Sequence, residues 1–284
     1  MKNPKTWLIT GASRGFGLDI SRAVLESGDR VLAAVRSNPQ ELQKKLNDNP
    51  NLLVVNMDVT DETQVLKGVK AGIDHFGQID ILVNNAGYGL LSAIEEATDA
   101  EVKANYEVNV FGSLNVIRAV LPLMRKRRAG RIINISSVGG LGAYVGWGLY
   151  GSTKFAIEGI TEALAMELAP LGIYATVVAP GFFRTNFLDK SSLISSKQII
   201  SDYAETVGNM RDFAAKVNRQ QPGDPQKLAQ ALVKLGNTAH PPVHLPLGKD
   251  ALDRFRIKMA EFEKDIREWY DTIIGTDYKD VATN

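Results

Sequence analysis

The chain has 284 residues, 44% hydrophobic and 23% charged, a globular balance long enough to bury a sizeable core. Its formal charge of +1 gives no bulk pull toward nucleic acid or an anionic membrane, and the absence of cysteine excludes disulfides, thiolate catalysis and cysteine-based metal sites. The three histidines, His75, His240 and His244, are too scattered for a metal cluster, and no run of 18 apolar residues or signal-peptide core appears, so the expectation is a cytoplasmic protein with no metal and no membrane span.

The first strand pattern is Thr6–Thr10 (TWLIT), followed by GASRGFG at 11–17 and a helical pattern over 18–25. A strand, a glycine-rich turn and a helix N-terminus form a phosphate cradle, because glycine lets backbone approach closely and unpaired N–H groups favour an anion. The spacing of Gly11, Gly15 and Gly17 departs from the usual Gly-x-Gly-x-x-Gly of dinucleotide sites. The same stretch fits Gly-x-Ser-x-Gly, a hydrolase nucleophile elbow built on Ser13. Against that reading, no earlier strand exists to supply an oxyanion loop. The second strand, Arg30–Val35, ends at Arg36, where an acid that would bind a ribose 2′-hydroxyl is missing. Two guanidiniums, Arg14 and Arg36, suit a 2′-phosphate instead, so NADP(H) is expected over NAD(H).

Alternation continues with a strand at 52–55 running to Asp58 and Val59, a helix at 60–76 capped by Thr60, and a strand at 81–83 entering Asn84, Asn85, Ala86 and Gly87. A long helix at 101–124 carries Asn109 and ends in a basic run that suits a helix C-terminus better than a nucleic-acid patch. Then come a strand at 131–135, a helix at 150–168 and a strand at 174–178 that enters PGFFRT at 180–185. Strands separated by helices imply βαβ units and a parallel sheet, with ligands beyond the carboxyl ends of the strands. The distinctive residues collect at those ends: 11–17, Asp58, 84–87, Ser137 and 180–185.

Tyr150 lies four residues before Lys154, and Ser137 lies thirteen before the tyrosine. On a helix, residues i and i+4 share a face. A neighbouring cation is expected to lower the phenol pKa from about 10 toward the working range, and Ser137 offers a hydroxyl to hold a substrate oxygen. That is an acid/base set for carbonyl–alcohol interconversion.

With TGASRGFG, NNAG, Asn109, Ser137, Tyr150-x-x-x-Lys154 and PG in one order, the chain resembles the short-chain dehydrogenase/reductase family from about residue 6 to residue 247. The resemblance implies a Rossmann-type doubly wound parallel sheet in three α/β/α layers. It implies that Gly11, Gly15, Phe16 and Gly17 shape the pyrophosphate site, with Ser13, Arg14 and Arg36 toward the adenosine phosphate. Asp58 and Val59 would flank the adenine, and Asn85, Ala86 and Gly87 the adenosine ribose side. Tyr150 would be the general acid in reduction and the base in oxidation, Ser137 would hold the carbonyl oxygen, and Lys154 would hold the nicotinamide ribose. Asn109 would position a water for a proton relay. Pro180, Gly181, Phe183 and Thr185 would border the nicotinamide, Thr185 holding its carboxamide. A homodimer or homotetramer is likewise implied.

Residues 186–222 turn polar and helical and are read as a substrate lid; Tyr144, Trp147 and Phe187, with Ser137 and Tyr150, are the substrate-side candidates, suggesting an apolar or aromatic ketone or aldehyde. A helix at 224–235 and a strand at 243–247 follow. Beyond them Leu252, Phe255, Met259, Phe262, Ile266, Trp269 and Ile273 recur at spacings of three and four, a seam read as packing on its own domain or roofing the pocket rather than joining a dimer. The tail after Thr276 is read as frayed. The division is one domain, 1–284, with a core at 1–185, a lid at 186–222, a last helix and strand at 223–247 and a helical extension at 248–284. The function expected is an NADP(H)-dependent carbonyl reductase or alcohol dehydrogenase. The alternatives are a non-catalytic dinucleotide sensor on the same fold and a serine hydrolase using Ser13.

Overall fold

The computed structural model describes residues 3–278. In chain order the elements are β1 (Thr6–Thr10), α1 (Gly15–Glu26), β2 (Arg30–Val35), α2 (Pro39–Lys45), β3 (Leu52–Asn56), α3 (Glu62–Phe76), β4 (Ile81–Asn84) and β5 (Gly89–Leu91). Helix α4 (Asp99–Tyr106) passes through a π-helical turn (Glu107–Phe111) into α5 (Gly112–Arg127). After these come β6 (Gly130–Ile135), α6 (Val138–Leu141), α7 (Gly148–Leu168), β7 (Ile173–Pro180), β8 (Leu193–Ser195), α8 (Asn209–Val217), α9 (Pro225–Asn237), β9 (His244–Leu247), α10 (Lys249–Glu268) and α11 (Tyr270–Ile274).

Seven strands pair in parallel in the order β3-β2-β1-β4-β6-β7-β9. Central β1 is buried at all five residues, as a parallel strand covered on both faces must be. Its side chains alternate between two cores. Trp7 and Ile9 pack with Ile20 and Val24 of α1 and Leu228 and Leu232 of α9, whereas Leu8 packs with Val116 and Val120 of α5 and Leu164 of α7. This is the doubly wound, three-layer arrangement expected. Chain direction across the sheet reverses between β1 and β4, so the crevice opens at their carboxyl ends.

Several local expectations need correction. Helix α3 is capped by Asp61, whose carboxylate accepts from Gln64 N at 3.1 Å, while Thr60 folds back onto Asp58. The long helix starts earlier, at a capping box between Thr98 and Glu101, and its register changes at the π turn. Residues 186–222 are only partly helical: β8 pairs with β5 in a small parallel sheet, and a π turn leads into α8. The largest departure is the seam after β9. Only the first two turns of α10 are anchored, through buried Ala251, through Asp250, which accepts from Phe182 N at 2.5 Å, and through Arg254 against Gly142 and Tyr144. From Met259 to Tyr278 every residue is exposed, so this part of the helix neither packs on the body nor roofs the crevice. Most of the tail read as frayed lies outside the described residues.

Candidate active site

The carboxyl ends of β1, β4, β6 and β7 assemble the site. Leaving β1, Gly11 has φ +64° and Gly15 φ +53°, conformations that cost L side chains energy. A Cβ on Gly17 would lie 2.3 Å from Gly11 O and 2.7 Å from the Asn85 amide nitrogen, so the turn closes on the first turn of α1 with no room for a side chain. The Asn85 amide donates to Thr10 O (2.9 Å) and Gly11 O (3.2 Å), and Asn85 N and Ala86 N both donate to the Thr10 hydroxyl at 3.0 Å. Asn85 therefore spends its side chain on holding the cradle, a role the sequence did not reveal. Thr185 stands across from Gly15, 3.8 Å from where a Cβ would be, and Phe183 meets Phe16 edge-on at 5.5 Å. The glycine turn and the 180–185 corner therefore face each other at the carboxyl edge of the sheet, glycine backbone on one side and Thr185 on the other.

The other expected cofactor residues divide. Asp58 accepts from Thr60 N and the Thr60 hydroxyl, and Val59 O accepts from Asn115, so both are fixed at the end of β3. Gly181 lies against the Asp250 carboxylate and donates to Leu247 O, serving as the hinge to α10. Arg36 is exposed past β2. Arg14 reaches sideways, donating to Ser191 O at 2.5 Å and the Ser192 hydroxyl at 3.1 Å, and so fastens the 191–192 segment.

Ser137 and Tyr150 come together where α6 meets α7. A Cβ on Gly151 would sit 3.0 Å from Gly139 O, so glycine there keeps the two helices close, and Ser137 Oγ and the Tyr150 ring both lie within 4 Å of the Cβ position of Gly139. Ser137 caps α6, its Oγ accepting from Gly139 N at 3.1 Å. With a lone pair committed to that N–H, its own proton is left to be donated. Lys154, one turn past Tyr150 and 5% exposed, donates to Ile135 O at 2.9 Å and lies 5.7 Å from the Tyr150 ring centroid. Burial pulls its pKa down to about 8, opposed by the carboxylate of Glu158. Where the expectation was a phenol brought down toward neutrality, burial pushes Tyr150 up, with the Ser137 hydroxyl opposing it. The phenol is therefore held protonated.

Asn109 sits in the π turn, a feature frequent at functional sites. Its amide accepts from Tyr88 N and donates to Tyr88 O, both at 3.0 Å, and donates to the Thr153 hydroxyl at 3.1 Å. A Cβ on Gly87 would touch Asn109 Oδ1 at 3.0 Å and Lys154 Nζ at 3.7 Å, placing both over one glycine. Its side chain positions the 87–88 corner beside the lysine. Glu158 escaped the sequence reading, although its position four residues past Lys154 was the available signal. Burial raises its pKa, and Ser136 and His244 oppose that, the His244 ring nitrogen lying 3.7 Å away.

Tyr150 is only 7% exposed because Phe187 lies over it at 5.5 Å between ring centroids and Trp147 meets it edge-on at 5.9 Å. Trp147 and Phe187 also stack, closing an aromatic cover that reaches Leu193. Tyr144 is not among them: its ring faces Phe182 and the Arg254 guanidinium at the base of α10. Ser13 is exposed on the glycine turn, and among the described residues it hydrogen-bonds to no histidine. Among those residues no group of side chains could hold a metal, and no helix is long and apolar enough to cross a membrane.

Comparison with known proteins gives a family match, "short chain dehydrogenase", over residues 5–193. A 3-ketodihydrosphingosine reductase of Bacteroides thetaiotaomicron is 38% identical over 246 residues, covering 86% of this chain and 88% of that one. A short-chain dehydrogenase crystal structure from Streptomyces avermitilis superposes with a TM-score of 0.90 at 37% identity, over 97% of this chain and 100% of the other. The structure of ElxO with NADP bound superposes with a TM-score of 0.72 at 28% identity, over 88% and 99%.

Proposed function

Because the chain belongs to the short-chain dehydrogenase family, we propose that it is an NADP(H)-dependent oxidoreductase that interconverts a ketone or aldehyde and its alcohol. One observation carries the reading: Ser137, Tyr150 and Lys154 converge at the carboxyl edge of β6, Tyr150 and Lys154 buried and Ser137 half-buried, beside the glycine turn that faces Thr185. The cofactor, when bound, supplies the hydride in reduction and accepts it in oxidation. Gly11, Gly15 and Gly17 would hold its pyrophosphate against the start of α1, Lys154 its nicotinamide ribose and Thr185 its carboxamide.

Tyr150 does the proton chemistry. A protonated phenol suits the acid role, giving its O–H proton to the carbonyl oxygen as that oxygen gains charge. Ser137 donates its hydroxyl proton in a hydrogen bond to the same oxygen. The resulting phenolate is stabilised by Lys154, whose pKa near 8 lets the ammonium return a proton within the neutral range. In oxidation the roles reverse. Asn109 holds the 87–88 backbone and Thr153 around the lysine, and is a positioning residue for the relay. The lid shields the step: Phe187 and Trp147 exclude water from the phenol, and admission of substrate requires Phe187 to swing away.

NADP(H) is favoured over NAD(H) by Arg14 and Arg36 with no acid at the end of β2, and NADP in the ElxO structure agrees. Arg14 would release Ser191 and Ser192 to meet a 2′-phosphate. The aromatic cover favours an apolar carbonyl compound. A relative that is a 3-ketodihydrosphingosine reductase agrees with a ketone. The test is NADPH oxidation against a ketone panel, wild type beside Tyr150→Phe. Turnover lost on Tyr150→Phe with NADPH binding kept is the expected result. Binding without turnover in wild type would leave a dinucleotide sensor, and ester cleavage abolished by Ser13→Ala would leave a hydrolase.

A further inference from the structure

Helix α10 leaves the body after its first turns, and the hydrogen bonds Trp269 N to Asp265 O and Ile273 N to Trp269 O carry its ladder on into α11. Its seam side chains stand in water: Leu252 is 38% exposed, Phe255 41%, Met259 53%, Phe262 52%, Ile266 44%, Trp269 63% and Ile273 48%. A lone helix is marginal in water, and apolar residues at spacings 3-4-3-4-3-4 form the a/d stripe of a coiled coil. What is exposed on these seven amounts to roughly 700 Å², close to the ~800 Å² each partner contributes to a stable interface.

We propose that residues 249–274 pair with the same segment of a second copy of this chain, antiparallel across a two-fold axis. The charges beside the stripe select this occupant and direction. Antiparallel layers set Leu252 against Trp269 of the partner subunit, Phe255 against the partner's Ile266, and Met259 against the partner's Phe262. In that register the flanking Arg256 faces the partner's Glu263 and Lys258 faces the partner's Asp265, and the two-fold axis doubles both, for four attractive pairs. Parallel helices would keep only Lys258 with the partner's Glu263, doubled to two. Within one helix Glu263 reaches Arg267 at 3.6 Å and Lys258 lies over the Phe262 ring at 4.5 Å, exposed contacts that are weak and readily shared. A membrane surface is the poorer occupant, because residues 249–268 carry six basic and six acidic side chains and so offer no net positive charge to anionic lipid.

The absence of cysteine makes cross-linking clean. Leu252→Cys and Trp269→Cys are about 25 Å apart along one helix, and a disulfide needs Cα atoms within about 7 Å. The double variant is expected to oxidise to a covalent dimer, and the two single variants to cross-link when mixed but not separately. Single variants that cross-link to themselves, or no cross-link at all, overturn the antiparallel seam. In sedimentation, Phe262→Asp should halve the assembled mass; Arg256→Glu should weaken assembly and Arg256→Glu with Glu263→Arg restore it. An unchanged mass in all three refutes the proposal. Flotation with phosphatidylcholine–phosphatidylserine vesicles should leave the protein in the soluble fraction; co-flotation without cross-linking would assign the seam to lipid instead.

Discussion

Adding one methyl group at two glycines should move stability in opposite directions. At Gly17 the new Cβ would lie 2.3 Å from Gly11 O, 2.7 Å from the Asn85 amide nitrogen and 2.9 Å from Ala12 Cα, two of them backbone atoms with no rotamer to yield. Ordinary contact begins at 3.4 Å, so the glycine turn and α1 must part by roughly 1 Å. That breaks the Asn85 bonds to Thr10 O and Gly11 O, about 1 kcal/mol each. Overpacking adds about 1–3 kcal/mol, for a total of about 3–5 kcal/mol. At about 2–4 °C per kcal/mol, Gly17→Ala should lower the cofactor-free melting temperature by about 10 °C. A misplacement of ~1 Å should also cut kcat/KM about a hundredfold. Gly159, exposed on α7, has nothing within 4 Å of its Cβ position. Gly159→Ala should raise the melting temperature by about 2–4 °C, from ~1 kcal/mol of helix propensity. Calorimetry of both variants without cofactor, then NADPH titration, is the assay. A Gly17→Ala protein melting within a degree or two of wild type would refute the close approach of turn and helix.

Three further outcomes follow from the site. Lys154 has a folded pKa near 8 against 10.5 when free, so between those values the unfolded chain binds more protons and stability rises with pH. The cost is complete below about pH 8, at roughly 3 kcal/mol; urea melts from pH 7 to 10.5 should show a rise that Lys154→Met flattens, and an equal rise in both proteins would count against the buried ammonium. Asn109→Ala removes three hydrogen bonds and strands Tyr88 N–H, so it should cost about 3 kcal/mol and lower kcat far more than NADPH affinity; an equal loss in both would point to general unfolding instead. Arg36→Ala should weaken NADPH binding about tenfold and leave NADH binding alone, as one charged hydrogen bond is worth about 1.5–3 kcal/mol; equal weakening of both cofactors would remove Arg36 from the 2′-phosphate.

Periodicity and motif order were enough for the sheet, the crevice and the residues gathered there. Alternating strands and helices admit few topologies, and glycine or proline at a strand end marks where backbone must turn. The i, i+4 spacing also placed Tyr150 and Lys154 on one face of α7. Sequence spacing says nothing about dielectric, so it could not show that burial would push the phenol up. Nor could it show what a side chain does when several partners compete. Arg14 turned to Ser191, Asn85 to the cradle and Asn109 to the backbone of Tyr88, because each found buried or well-aligned partners that are distant in the chain. Tyr144 and Trp147 are three residues apart, yet one faces α10 and the other covers the phenol. The stripe on α10 was legible as apolar at helical spacing. Whether it faced the body depended on the direction in which the helix leaves Asp250, and that direction is set by contacts with the 181–182 corner that no local pattern encodes.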